Sequence, residues 1–143
     1  MLKFWLYPLI ALFVLSSCNS PSGRNNQTAE DEFSFAFLTD IHLQPERGAK
    51  TGFQWAIREV NKRYPDFVLT GGDMVADVLN QSYGRADSLY RLYEDLVKKF
   101  KMPVYNTIGN HEVYGWQRIE EGIEQHPEFA KRMYEQRLGP RYY

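Results

Sequence analysis

The stretch Phe33-Ser34-Phe35-Ala36-Phe37-Leu38-Thr39-Asp40-Ile41-His42 decides the fold, because an apolar run ends directly on an acid and an imidazole. A continuous apolar run of this length is typical of a strand buried on both faces of a parallel sheet. Asp40 and His42 stand two residues apart at the end of that strand, so extended backbone would turn both side chains to one side. The stretch therefore predicts a sheet whose edge carries metal-ligating side chains.

Two further apolar runs are followed by ligand-type residues in the same way. Phe67–Thr70 precedes Gly71-Gly72-Asp73, and Val104–Ile108 precedes Gly109-Asn110-His111-Glu112. The carboxyl ends of the strands meet at one edge of an open α/β sheet. We therefore expect the three clusters to converge and to offer oxygen and nitrogen donors to metal ions and a phosphate ester.

Two amphipathic helices are predicted between these strands, the first after a polar loop over Gln44–Thr51 and ended by Pro65-Asp66. Apolar side chains recur at helical spacing in both segments: Phe53, Ile57, Val60 and Tyr64 in the first, and Leu89, Leu92, Leu96 and Phe100 in the second. The resulting β-α-β-α-β order predicts an α/β fold with a parallel sheet and right-handed crossovers.

The residues after Gly115 predict two more helices. Trp116, Ile119 and Ile123 would share one helical face, although Gly122 interrupts it. Pro127–Leu138 predicts a helix with proline in its first turn, and Gly139 stands where a helix stop belongs. Arg141-Tyr142-Tyr143 would begin another strand.

The amino-terminal residues predict export. Lys3 precedes an almost unbroken apolar run, Phe4–Leu15, which is short for a membrane-spanning helix and typical of a signal peptide. Leu15-Ser16-Ser17-Cys18 resembles the lipobox of bacterial lipoproteins, in which the cysteine becomes the lipidated first residue. We interpret residues 1–17 as a lipoprotein signal peptide and the protein as an exported, membrane-anchored lipoprotein of the cell envelope. An ordinary signal peptide with an incidental cysteine is the alternative.

The composition bounds the rest of the chain. Residues 18–32 predict a flexible tether, because Asn19–Glu32 contains no apolar residue except Ala29. Residues 33–143 are then one domain within a chain of 143 residues. The net charge is -1 and no basic patch stands out, so nucleic acid is not an expected partner. Cys18 is the only cysteine, which excludes an intrachain disulfide.

Each ligand cluster has an ordinary explanation when it is taken singly. Asp40 and His42 could be a loop aspartate and a surface histidine, and Gly72-Asp73 could be a turn with a hydrogen-bonding acid. Gly109-Asn110 could be a tight turn. The order of all three behind successive strands of one α/β unit favours a shared site.

In that order, the clusters resemble the Asp-x-His, Gly-Asp and Gly-Asn-His-Asp/Glu signatures of the calcineurin-like metallophosphoesterases. The resemblance covers roughly Phe33–Glu112, the amino-terminal half of such a domain. It implies the β-α-β-α-β start of the family's sandwich fold. It also implies hydrolysis of phosphate mono- or diesters at two divalent ions (Mn, Fe, Zn or Co) with a hydroxide held between them.

The resemblance also implies a role for each site residue. The metal ligands would be Asp40, His42, Asp73 and Asn110. Asp73 would bridge the two ions, whereas Asp40 and His42 would bind the first and Asn110 the second. His111 would be the catalytic histidine, with Glu112 orienting its imidazole. The partner would be a phosphate-ester small molecule or a phosphorylated substrate.

The histidine count departs from the family pattern, which adds a further ligand histidine and a Gly-His-x-His element. This chain holds only His42, His111 and His126, and we interpret His126 as the solvated flank of a helix. We therefore expect a truncated form of a longer enzyme, with an exposed apolar sheet edge and weak turnover at most. The alternatives are a catalytically incomplete lipoprotein that binds a ligand or partner through the same cleft, and a structural surface lipoprotein.

Overall fold

A computed structural model describes residues 32–141. The elements in chain order are β1 (Phe35–Leu38), α1 (Ala49–Arg63), β2 (Phe67–Thr70), α2 (Tyr83–Val97), β3 (Val104–Tyr105), a 3₁₀ turn (Ile123–Gln125) and α3 (Arg132–Leu138). The predicted signal peptide, the lipidated Cys18, the tether as far as residue 31 and the last two tyrosines lie outside the described residues. Within residues 32–141, no helix is long and apolar enough to cross a membrane.

The three described strands form one parallel sheet in the order β1-β2-β3. Phe35 lies opposite Phe67 in the register, and Val68 lies opposite Val104. This confirms the predicted α/β fold of parallel strands that alternate with helices.

Both long helices pack on the same face of this sheet. Phe53 and Ile57 of α1 join Leu89 and Tyr93 of α2 in one buried cluster, and the Phe53 and Tyr93 rings stack with their centroids 5.8 Å apart. Sequential strands joined by right-handed crossovers place their helices on one side. Each fully buried side chain of this size contributes about 1.5–3 kcal/mol to folding.

The opposite face of the sheet carries exposed aromatic side chains. Phe35 is 50% exposed and Phe37 is 57% exposed. The Phe35 ring stacks on Phe67 with a centroid distance of 5.4 Å, and Phe67 meets Tyr105 edge-on. The prediction that β1 is buried on both faces is therefore wrong for the described residues, because both helices cover the other side. The exposed apolar surface is a face of the sheet rather than its edge.

The third strand is shorter than the predicted Val104–Ile108, because hydrogen bonds that involve side chains replace the backbone hydrogen bonds of the sheet after Tyr105. The hydroxyl of Tyr93 donates to Oδ1 of Asn106 at 2.6 Å. The backbone N–H of Thr107 donates to Oγ1 of Thr70 at 3.0 Å, instead of to a strand carbonyl. The chain thus leaves the sheet two residues after β3 begins while it stays tied to β2.

The helix boundaries differ from the predictions at several ends. Helix α1 begins at Ala49, inside the predicted loop, and ends before Pro65 as expected. Tyr64 has a left-handed φ of 51° and is exposed, so it ends the helix rather than facing the core. Phe100 follows α2 and is only partly buried.

The segment after Gly115 differs most from its prediction. Trp116 and Ile119 are exposed, and only Ile123 is buried, in the 3₁₀ turn, so the predicted helical face is wrong. Helix α3 begins at Arg132 rather than at Pro127. Ala130 has a φ of 59° and donates its N–H to the carbonyl of Tyr114 at 2.8 Å, which prevents an earlier start. Gly139 follows the helix, as predicted.

Candidate metal centre

The loops after β1 and β2 run side by side beyond the ends of both strands. The N–H of Asp40 donates to the carbonyl of Gly72 at 3.1 Å, and that of His42 donates to the carbonyl of Asp73 at 3.0 Å. Leu43 then forms a parallel bridge with Val75. These bonds hold the first two predicted clusters in register at the carboxyl edge of the sheet.

Left-handed backbone turns the ligand-type side chains. Asp40, His42 and Asp73 have φ values of 55°, 47° and 53°. The backbone from Asp40 to His42 is therefore not extended, so the alternation of an extended strand does not explain how the side chains converge, and tight loops bring them together instead. Aspartate and histidine are among the residues that adopt this conformation most readily. Unfavourable backbone of this kind is commonly concentrated at functional sites.

Backbone packs directly against backbone where the second and third loops meet. A Cβ atom on Gly72 would lie 2.6 Å from the backbone nitrogen of Gly109, and Gly72 has a φ of 88°. A Cβ atom on Gly109 would overlap the backbone nitrogen and Oδ1 of Asp73. A side chain would therefore have no room at either position, and the positive φ of Gly72 also favours glycine there.

The carboxylate of Glu112 joins the second and third loops. Its Oε1 accepts the N–H groups of Met74 (2.7 Å) and Val75 (3.0 Å). Its Oε2 accepts the N–H groups of Asp73 (2.9 Å) and Gly109 (2.7 Å). The side chain is fully buried. Four backbone donors therefore occupy both oxygens of one buried acid.

This arrangement corrects the predicted contact between Glu112 and the imidazole of His111. The carboxylate binds backbone, and Nδ1 of His111 is buried with no hydrogen-bond partner among the described residues. Burial raises the pKa of Glu112, while the four backbone N–H groups act in the opposite direction. Glu112 therefore fixes the loop that carries His111 through the backbone, and no hydrogen bond between its carboxylate and Nδ1 of His111 is found in residues 32–141.

Three of the predicted site residues form one donor cluster. A ligand atom from each of His42, Asp73 and His111 lies within 4.8 Å of the others. The His42 and His111 rings meet edge to face with centroids 4.5 Å apart. Oδ1 of Asp73 also accepts the backbone N–H of His111 at 3.0 Å. We call these three residues the donor cluster.

The other two predicted ligands lie beside the donor cluster. Oδ1 of Asp40 is 3.9 Å from Nε2 of His42, and its Oδ2 accepts the hydroxyl of Thr39 at 2.6 Å. Asn110 is exposed, and its backbone carbonyl accepts the N–H of Val113. Asp40 therefore lies beside His42 without belonging to the donor cluster, and Asn110 immediately precedes His111 of the cluster in the third loop.

The donor cluster fits divalent metal ions. Two imidazoles and a carboxylate are donors that suit transition metals such as Mn, Fe, Zn and Co. The buried Nδ1 of His111 has no partner in residues 32–141, and a buried polar atom in that state costs free energy that a ligand would recover. The two histidines and Asp73 come from three different loops, as the sequence predicted.

Two tyrosines of α2 donate hydrogen bonds to the third loop and to the segment before it. The sequence did not predict these contacts. The hydroxyl of Tyr90 donates to the carbonyl of Glu112 at 2.7 Å, and that of Tyr93 donates to Asn106. Burial raises the pKa of both phenols, so they stay protonated as donors. Helical spacing could have placed these tyrosines on a buried face, but it carries no information about their partners.

His126 lies apart from the donor cluster, as predicted, but it is not a solvated flank. Its ring packs 4.4 Å from the ring of Tyr83 and 5.6 Å from that of Tyr114. Its Nδ1 accepts the N–H of Glu128 at 3.1 Å. The residue therefore has a structural role in the segment that precedes α3.

The domain that carries this edge of the sheet matches a known protein family. The family model described as "Calcineurin-like phosphoesterase" matches residues 33–141. The chain belongs to the calcineurin-like phosphoesterase family, whose members use two divalent metal ions.

One curated relative and one solved structure extend this assignment. The chain is 34% identical over 131 residues to the human manganese-dependent ADP-ribose/CDP-alcohol diphosphatase, covering 72% of this chain and 38% of that protein. The crystal structure of a dimetal phosphatase from Danio rerio shares the fold, with a TM-score of 0.52 and 18% identity. That match covers 58% of this chain and 31% of the zebrafish chain. The chain thus spans well under half the length of either protein.

Proposed function

We propose that this protein hydrolyses phosphate mono- or diesters at a site that holds two divalent metal ions. The observation that carries the proposal is the donor cluster, in which His42, Asp73 and His111 converge at the carboxyl edge of the sheet. Asp40 beside His42 adds a second carboxylate. The family assignment supports the same class of reaction.

We assign a separate role to each residue of the site. Asp40 and His42 would hold one ion, Asn110 would help to hold the other, and Asp73 would serve both. Bound metal ions lower the pKa of a coordinated water and stabilise charge on phosphoryl oxygens. The imidazole of His111, in the donor cluster beside the ions, would interact with a departing oxygen, and Glu112 would keep its loop in place through the backbone.

The substrate class is supported by the human relative, which by its name acts on ADP-ribose and CDP-alcohols in the presence of manganese. We propose a phosphate-ester small molecule as the substrate of this chain and Mn²⁺ as a metal that supports its turnover.

Hydrolysis of bis(4-nitrophenyl) phosphate by the purified chain with Mn²⁺ tests this function. We expect slow, metal-dependent release of nitrophenol that is lost in His111→Ala. His126→Ala is the matched control, because this histidine packs between two tyrosines away from the donor cluster. Equal rates in wild type and His111→Ala would show that the activity does not come from this site.

A second candidate function is binding without turnover. It is favoured by the histidine count, since only His42 and His111 of the three histidines lie in the donor cluster. Mn²⁺ binding by the purified chain together with no hydrolysis above the blank would support a catalytically incomplete protein that binds a ligand through the same cleft.

We also propose that Cys18 anchors the protein to a membrane of the cell envelope through lipid. This residue lies outside the described residues, and the proposal rests on the sequence Leu15-Ser16-Ser17-Cys18. Two or more acyl chains give stable anchoring, whereas one gives only marginal binding. Cys18→Ser should release the protein from the membrane fraction, and persistence of the variant there would contradict the proposal.

A further inference from the structure

A cleft of about 320 Å³ adjoins the donor cluster. His42 and His111 form part of its wall, so the cleft is continuous with the candidate metal centre. Its lining includes two apolar residues, Leu89 and Ala76. A substrate whose phosphoryl group contacts the metal ions would therefore extend into this cleft.

Two guanidinium groups line the cleft, from Arg47 and Arg85. They come from different elements, since Arg47 lies in the loop that precedes α1 and Arg85 in the first turn of α2. Arg47 has a left-handed φ of 56°. Arginine presents five N–H donors in a planar fork that matches the oxygens of a phosphoryl group.

The acidic groups near these arginines already have partners within the chain. Nη2 of Arg85 donates a hydrogen bond to Oε2 of Glu46 at 2.7 Å. This ion pair fixes the position of the Arg85 guanidinium and leaves its other N–H donors available. Oδ1 of Asp77 accepts the backbone N–H of Leu79 at 2.9 Å. The remaining polar side chains of the wall are the amides of Gln44 and Gln81. With two arginines and two amides against the single carboxylate of Asp77, the lining is more basic than acidic and suits an anionic or polyhydroxylated group.

The cleft contains no phenylalanine, tyrosine or tryptophan among its described lining residues. Base recognition commonly uses stacking on an aromatic ring, whereas phosphoryl groups are bound by arginine forks. The lining is therefore better suited to a second phosphoryl group, and to sugar hydroxyls next to it, than to a nucleobase.

We propose that Arg47 and Arg85 bind a second phosphoryl group next to the metal centre, so that this site prefers diphosphate diesters over substrates with a single phosphoryl group. The inference rests on the proposed function for the identity of the first phosphoryl site. It adds two specificity-determining residues, which lie outside the three ligand clusters. Neither arginine was singled out by the sequence, because their spacing of 38 positions gives no local pattern.

Binding of two related ligands to the Mn²⁺-loaded full chain tests the proposal without requiring turnover. The probes are the α,β-methylene analogue of ADP-ribose, which has two phosphoryl groups, and AMP, which has one. Isothermal titration calorimetry should show wild type binding the analogue about 10-fold or more tighter than AMP, since charge-assisted hydrogen bonds are the strong ones.

Arg47→Gln and Arg85→Gln should each weaken binding of the analogue by roughly 10-fold and leave AMP binding within about 2-fold. Arg85→Lys should restore part of the loss. Arg91→Gln is the matched control, because Arg91 lies on the same helix, is 71% exposed and pairs only with Asp87 among the described residues. It should bind both ligands like wild type.

The failures of the two proposals are distinguishable. If the wild type binds Mn²⁺ but shows no preference for the analogue, or if both arginine variants keep the full preference, the second phosphoryl site is wrong and the phosphoesterase proposal stands. If the wild type does not bind Mn²⁺, both proposals fail together.

Discussion

The carboxylate of Glu112 accepts a hydrogen bond from the backbone N–H of Asp73 at 2.9 Å. Asp73 in turn binds the loop that carries Glu112, because Oδ1 of Asp73 accepts the N–H of His111 at 3.0 Å. The second and third loops are therefore tied in both directions. The carboxylate of Glu112 thereby holds the loop of Asp73 against the loop of His111.

Replacement of Glu112 tests this role. In Glu112→Gln one carboxylate oxygen becomes an NH₂ group that faces backbone N–H donors, so at least one buried donor is left unpaired. We expect a loss of about 3 kcal/mol or more in the free energy of unfolding, together with weaker Mn²⁺ binding. Urea denaturation and metal titration measure the two effects. Glu59→Gln is the control and should change little, because Glu59 of α1 is partly exposed and pairs with the exposed Lys62. Unchanged stability and metal affinity in Glu112→Gln would contradict this role of Glu112.

Gly109 offers a second test of the same contact between loops. The methyl group in Gly109→Ala would overlap the backbone of Asp73, so the loops must separate and the donor cluster must open. We expect Mn²⁺ affinity to fall by at least about 10-fold, comparable to the loss of a supporting contact at a metal site. Gly84→Ala is the control, since a Cβ atom in the first turn of α2 meets nothing within 4 Å. That control should keep its metal affinity and gain about 0.5–1 kcal/mol of stability. Normal metal binding by Gly109→Ala would show that the loops do not need this close approach.

The two faces of the sheet should respond differently to truncation of phenylalanine. Phe53→Ala removes a buried ring that stacks on Tyr93, and we expect a loss of about 3–5 kcal/mol in unfolding free energy. Phe37→Ala removes a ring that is more than half exposed and should cost less than about 1 kcal/mol. Chemical denaturation of both variants gives the comparison. A similar loss in both would show that the aromatic face is covered in solution.

Acid should weaken the link between α2 and α3. Burial raises the pKa of Asp87, but the hydrogen bonds from Arg137 (2.6 Å) and Arg91 (2.8 Å) outweigh it, and the net shift is downward. A lowered pKa in the folded state means that this stabilisation is complete above the unfolded pKa of about 3.9 and is lost as the pH falls through the folded value. The stability difference between wild type and Asp87→Asn should therefore shrink as the pH is lowered from 6 to about 3.

Urea unfolding at several pH values measures this difference. Asp95→Asn is the control, because Asp95 is exposed and its contact with Lys98 contributes little. A difference between wild type and Asp87→Asn that does not change with pH would show that the ion pair with Arg137 does not stabilise the fold.

The sequence predicted the parallel sheet and the three loops because both depend on local patterns. Apolar runs that end on Asp40, Gly72 and Gly109 reveal strand ends, and strand ends in such a sheet meet at one edge. The sequence did not predict which face of β1 would be covered, since that depends on strand order and crossover hand acting together. It also missed the partners of Glu112, because hydrogen bonds to backbone leave no pattern in the side chains. The segment after Gly115 failed for a similar reason, as its path is set by contacts with Tyr114 and with the loop near Val78.

Mn²⁺ binding to wild type and to Asp73→Asn tests the central claim most directly. Asp73 lies in the donor cluster and is predicted to contact both ions, whereas Asp95, changed in the control Asp95→Asn, is exposed, pairs with Lys98 and is not in the cluster. Calorimetric titration should show binding by wild type and by Asp95→Asn, and a loss of at least about 10-fold in affinity for Asp73→Asn. Equal Mn²⁺ affinity in wild type and Asp73→Asn would contradict the assignment of this edge of the sheet as the metal centre.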